Sequence, residues 1–171
     1  MKLTSPFFAD GAILPFGCAY EGSNRSPLLS WDDAPLGTGA FALTCLDTDA
    51  PFGKPWVHWL CWNIPLWQTR LMPGCPPYER LPDGTEQGLN GFLEYGWGGP
   101  YPPSGLHRYD FTLYALDGPL SPQGRTLEAL SAALEGHTLA AAGISAYYGP
   151  DHALASYEAL GREGRLASFS G

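Results

Sequence analysis

Residues 107–116, His107-Arg108-Tyr109-Asp110-Phe111-Thr112-Leu113-Tyr114-Ala115-Leu116, alternate with a period of two. His107, Tyr109, Phe111, Leu113 and Ala115 fall on one face, and Arg108, Asp110, Thr112, Tyr114 and Leu116 on the other. This is a β-strand, and its neighbours extend the pattern. Upstream, residues 41–46 form a short apolar run that ends at Asp47, after which Asp47-Thr48-Asp49-Ala50-Pro51 turns the chain. Pro51 and Pro55 forbid a helix there. The next strand covers residues 56–64. Strict alternation puts Trp56, His58, Leu60, Trp62 and Ile64 on one side and Val57, Trp59, Cys61 and Asn63 on the other. Both sides are largely apolar, so this strand is expected to be central and covered on both faces. Residues 65–103 read as loop. Downstream, Thr126 caps a helix whose stripe is Leu127, Leu130 and Leu134, and Gly136 closes it. Residues 139–148 are read as a last strand and 153–160 as a short terminal helix. The sum is mainly β with a few short helices, which points to an antiparallel β-sandwich.

Composition narrows the function. The chain has 171 residues, the length of one domain, and 44% of them are hydrophobic, enough for a sizeable core. Gly 22 and Pro 17 favour turns over long helices. The net charge of −8, with only Lys2 and Lys54 as lysines, leaves no basic stripe for nucleic acid or for an anionic membrane surface. The start of the sequence shows no apolar leader, and no run is long enough to span a bilayer, so a cytoplasmic location is expected. Cys18, Cys45, Cys61 and Cys75 form no C-x-x-C pair, and buried free thiols are preferred to disulfides. Nucleotide-loop, zincin and hydrolase-elbow signatures are absent.

Three polar residues stand where a sandwich strand is usually apolar or ends: Asp47, His58 and His107. Between the histidines lies Tyr95-Gly96-Trp97-Gly98-Gly99-Pro100-Tyr101-Pro102-Pro103, whose glycines allow close approach and whose prolines stiffen the loop. Backbone N–H groups of this loop beside two imidazoles would suit a small anion, with Asp47 orienting one ring. Taken singly, each feature has a plainer reading: a core histidine, an Asx-turn carboxylate and a rigid connector.

Together these motifs resemble the phosphatidylethanolamine-binding protein family, most of all its bacterial, Raf-kinase-inhibitor-like branch. The resemblance rests on Asp47-Thr48-Asp49-Ala50-Pro51, Trp56-Val57-His58-Trp59 and Gly98-Gly99-Pro100-Tyr101-Pro102-Pro103-Ser104-Gly105-Leu106-His107-Arg108-Tyr109. Gly22-Ser23-Asn24, Asn63-Ile64-Pro65 and Gly136-His137-Thr138 support it, and it runs from about residue 7 to residue 148. It implies a Greek-key-like β fold with peripheral helices over a single domain of residues 1–171, with residues 149–171 as an extension. It also implies a cavity for a small anionic group, such as the phosphate of a lipid headgroup or of a phosphorylated ligand. Carried over residue by residue, Asp47, Ala50, Pro51, His58, Gly99, Pro100, His107 and Tyr109 line that cavity, while Asp49 and Arg108 brace its loops. Thr48 and Tyr101 depart from the usual proline and cysteine.

The resulting expectation is a non-enzymatic binding protein without cofactor or metal. It takes a phosphate-like ligand, has a kinase or protease as the kind of protein partner some relatives have, and forms a homodimer through exposed rings such as Trp67, Tyr78 and Tyr101. The alternative is a hydrolase or isomerase that uses His58 and His107 as acid and base with Asp47. A divalent-metal site from Asp47, His58 and His107 is a third reading, which the resemblance disfavours.

Overall fold

The computed structural model describes residues 1–150; the helix expected at 153–160 lies outside the described residues. Two sheets face each other. The larger contains β2 (Ala12–Ile13), β4 (Ala40–Asp47), β5 (Trp56–Pro65), β7 (Glu86–Gln87), β8 (His107–Leu116) and β9 (Thr138–Tyr148), in the order β2-β9-β8-β4-β5-β7. The smaller has β1 (Lys2–Thr4), β3 (Leu29–Asp32) and β6 (Arg70–Leu71), in the order β1-β3-β6. All pairings are antiparallel except β2 with β9, which is parallel. After the β4–β5 pairing the chain makes a long return, and β8 joins the other side of β4.

The alternation in β8 predicts its burial well. Tyr109, Phe111, Leu113 and Ala115 enter the main core between the sheets, with Leu3, Trp31, Phe41 and Leu43. Leu116 instead joins a smaller cluster with Ala42, Leu60, Trp62 and Leu130, against which Tyr114 packs. This second cluster lies beneath α1 (Leu127–Leu134), whose N-cap Thr126 accepts a hydrogen bond from the Ala129 N–H. Leu127 and Leu134 also pack there, so the predicted stripe is the buried one.

β5 corrects the sequence reading twice. It is covered on both faces, but the central strands are β4 and β8; β5 stands one in from the edge, beside the two-residue β7. Its sides also do not alternate strictly. Cys45 pairs with Trp59 and Leu46 with Val57, so His58 is an extra residue in β5 with no partner in β4. A second irregularity falls at Asn63, whose φ is 56°. Trp59, Cys61 and Ile64 therefore enter the main core, while Leu60 and Trp62 enter the cluster under α1. The expected grouping of His58 with Leu60, Trp62 and Ile64 is overturned. A bulge sets two residues against one, bends the strand and redirects a side chain. Here it turns His58 toward Tyr109 and Trp97 on the main-core side, at ring-centroid distances of 5.0 and 6.3 Å.

Candidate functional site

Asp47, the last residue of β4, and His107, the first of β8, are brought together by the β4–β8 ladder, which pairs Asp47 with Tyr109. His107 Nδ1 donates to Asp47 Oδ2 at 2.7 Å, and both side chains are almost fully buried. Asp47 Oδ1 accepts from the Asp49 N–H at 2.9 Å. The Asx-turn reading of Asp47 and its ring-orienting reading thus hold in the same carboxylate. Asp49 Oδ2 accepts from the Arg108 N–H, tying the turn after β4 to the start of β8. The Arg108 guanidinium is directed to Asp110.

His58 is held differently. Its Nδ1 is hydrogen-bonded to the carbonyl oxygen of Gly98. A carbonyl only accepts, so the ring's proton is on Nδ1, and Nε2 of the neutral ring is left as an acceptor. Burial pushes the imidazole down from 6.5 to about 4, against the raising effects of the Gly98 carbonyl and the Asp47 charge. The ring is therefore neutral at physiological pH. Tyr109 is fully buried beside it, and its hydroxyl has no hydrogen-bond partner in the structure. Burial and the nearby Asp47 carboxylate raise that phenol well above its ordinary range.

These groups border a cavity of about 210 Å³. Six of the eight residues expected from the sequence line it: Asp47, Ala50, Pro51, His58, His107 and Tyr109. Gly99 and Pro100 do not, and the reason is local. The Gly99 N–H donates to Asn24 Oδ1 at 2.8 Å, and the Gly98 N–H donates to the His58 carbonyl oxygen at 2.8 Å. The Gly98 and Gly99 backbone donors are thus already engaged and do not face an anion. Close packing accounts for the glycine at 99, because a Cβ there would lie 2.2 Å from the Cys18 carbonyl oxygen. Asn24, at φ 47°, holds the loop from the other side. The sequence reading missed Phe52, Trp56, Phe92, Tyr101, Pro102 and Pro103 as lining residues. Trp56, Tyr101, Pro102 and Pro103 lie within the motifs that carry the family resemblance; Phe92 carries no local signal. No serine, threonine, cysteine, lysine or arginine is among the described lining residues. Nor is any group of three metal-ligating side chains found among the described residues. The four cysteines are free thiols; burial raises Cys18 to about 11 and Cys75 to about 12, and pushes Cys45 and Cys61 well up.

Comparison with known proteins agrees with this architecture. The family model described as Phosphatidylethanolamine-binding protein matches residues 4–149. A UPF0098 protein of Methanothermobacter thermautotrophicus is 44% identical over 149 residues, covering 86% of this chain and 98% of its own. The Escherichia coli UPF0098 protein YbhB is 40% identical over 161 residues, covering 86% and 99%. Among solved structures, E. coli YbcL, described as a member of the mammalian family of that name, superposes with a TM-score of 0.80 at 34% identity, over 86% of this chain and 97% of its own. A homologue from Chlamydia trachomatis gives 0.79 at 34% identity, over 88% and 97%.

Proposed function

Because this chain belongs to the phosphatidylethanolamine-binding protein family, we propose that it is a non-catalytic binding protein whose cavity takes a small phosphate-like group. The observation that supports this most directly is the unpartnered hydroxyl of Tyr109, a buried donor in the wall that His58 and His107 share. A buried hydroxyl without a partner costs about 1–3 kcal/mol, a cost that an acceptor oxygen on a ligand would remove. The two imidazoles provide the rest. The Nδ1 hydrogen bond to Asp47 fixes the His107 ring and leaves its Nε2 for a ligand. His58 presents a lone pair, so the phosphate either supplies its own P–OH or draws a proton onto the ring. In both cases the complex contains a proton that free His58 lacks, and affinity falls as pH rises. The described lining residues include no serine, threonine, cysteine or lysine to act as a nucleophile activated by an imidazole, and on that ground noncovalent binding is preferred to the acid–base alternative. Four free thiols suit a reducing compartment, which supports the reading of a cytoplasmic protein.

Titration calorimetry of inorganic phosphate against the wild type, His58→Ala, His107→Ala and Tyr109→Phe tests the reading. Each imidazole deletion is expected to weaken binding by about 1.5–3 kcal/mol, the scale of a hydrogen bond to a charged group. Equal affinity across all four proteins would refute the site.

A further inference from the structure

Building on the phosphate reading above, we propose that Asn24, which does not line the cavity, is a positioning residue for it. Through one peptide plane Asn24 holds the tautomer of His58, and so sets which ionic form of phosphate that ring accepts.

The Gly98 carbonyl and the Gly99 N–H belong to the same peptide plane, and side chains grip it from both sides. Its oxygen is hydrogen-bonded to His58 Nδ1, and its N–H donates to Asn24 Oδ1 at 2.8 Å. The rest of the loop is anchored without the Asn24 side chain. Trp97 Nε1 donates to the Cys18 carbonyl oxygen at 3.0 Å, and the Tyr20 N–H donates to the Pro100 carbonyl oxygen at 3.0 Å. The Gly98 N–H donates to the His58 carbonyl oxygen at 2.8 Å. Both residues that flank the plane are glycines, so neither has a Cβ to oppose its rotation. Asn24 is itself seated by its backbone, at φ 47° with its N–H donating to the Ala19 carbonyl oxygen at 3.1 Å.

The orientation of this plane decides what His58 offers. With the carbonyl toward Nδ1, the proton of the neutral ring is on Nδ1 and Nε2 accepts. With the plane turned over, the Gly99 N–H faces Nδ1, the proton moves to Nε2, and Nε2 donates. Either arrangement gives Nδ1 one hydrogen bond. The Asn24 acceptor favours the first by holding the N–H on the side away from His58. The accepting Nε2 suits a phosphate monoanion, which brings its own P–OH, and disfavours the dianion, which brings none. Asp47 on β4 and His107 and Tyr109 on β8 are the titratable groups that face His58. A change at position 24 leaves all three in place.

The test compares the full-length wild type with Asn24→Gly and Asn24→Asp. Glycine and aspartate both tolerate the positive φ; glycine lacks the acceptor and aspartate can only accept. Nitrogen-15 NMR at pH 7.5 reads the tautomer, with the His58 signal identified by its loss in His58→Asn. The wild type and Asn24→Asp should carry the proton on Nδ1. In Asn24→Gly the ratio of the Nδ1–H to the Nε2–H form should fall about 2- to 12-fold, the worth of one neutral hydrogen bond. Calorimetry with inorganic phosphate at pH 6, mainly monoanion, and at pH 8.5, mainly dianion, reads the consequence. The affinity of Asn24→Gly relative to the wild type should rise by up to the same factor between the two pH values, whereas a merely loosened loop would weaken both alike. Asn24→Asp, ionised at both pH values, should keep a constant ratio to the wild type. A wild-type ring with its proton on Nε2 would overturn the proposal, as would an unchanged tautomer in Asn24→Gly. Failure of phosphate to bind the wild type would instead overturn the phosphate reading, and the tautomer comparison would still decide whether Asn24 holds His58.

Discussion

Acidification is expected to destabilise this protein through His58, by an amount the structure allows to be worked out. The ring is buried at the β5 bulge with its Nδ1 proton on the Gly98 carbonyl, and its folded pKa is pushed from 6.5 to about 4. Asp47 and His107 are the charged or titratable side chains that act on it, the first raising and the second lowering the value. Between those two pH values the unfolded chain holds a proton that the folded chain does not, so acid draws the equilibrium toward unfolding. The stability from this residue is complete above pH 6.5 and is lost as pH falls to 4. Applied to a fall from 6.5 to about 4, linkage gives about 3 kcal/mol when complete, and about 2 kcal/mol of it is already lost at pH 5. Urea unfolding of the wild type and of His58→Asn, at pH 7.5 and pH 5, isolates the effect. Asn offers an N–H near the position of Nδ1 but does not titrate. The wild type should lose about 2 kcal/mol more than the variant between the two pH values. Other carboxylates and histidines contribute equally to both proteins and cancel. Parallel pH dependences would show that His58 is not buried neutral, and the proton linkage proposed for phosphate binding would fall with it.

Gly99→Ala should destabilise by about 1–3 kcal/mol in the same assay, because the new Cβ would meet the Cys18 carbonyl oxygen at 2.2 Å and the backbone of 18–20 must shift; an unchanged midpoint would contradict the packing described. Thiol titration of the native protein should find Cys45 and Cys61 unreactive, and all four cysteines should react after denaturation; immediate native reaction of Cys45 or Cys61 would show that β4 and β5 are not packed as described. Trp67 and Tyr78 are 72% and 60% exposed, and a second copy is expected to cover them: light scattering should give twice the 18.4 kDa chain mass, and a monomer at high concentration would rule this out.

Alternation is a local property, so the sequence alone determined β8, whose inward residues are those its period of two selects. The same holds for α1, whose cap and stripe lie within nine residues, and for Asp47 and His107, which mark the ends of their strands. The order and spacing of three motifs were enough to point to the family. Tertiary structure decided the rest. The bulge at His58 exists only in the register of β5 against β4, and a single extra residue changes which side chains face the core. Whether the Gly99 N–H was free for a ligand depended on Asn24, 75 residues away, and its engagement by the Asn24 side chain removes it from the candidate donors. The rings of residues 20, 52, 56, 92 and 101 form one series of contacts, and no spacing along the chain announces that set. Periodicity records which way a side chain points within its own element. What it meets there depends on hydrogen bonds and contacts between distant segments, which form only when the sheets close.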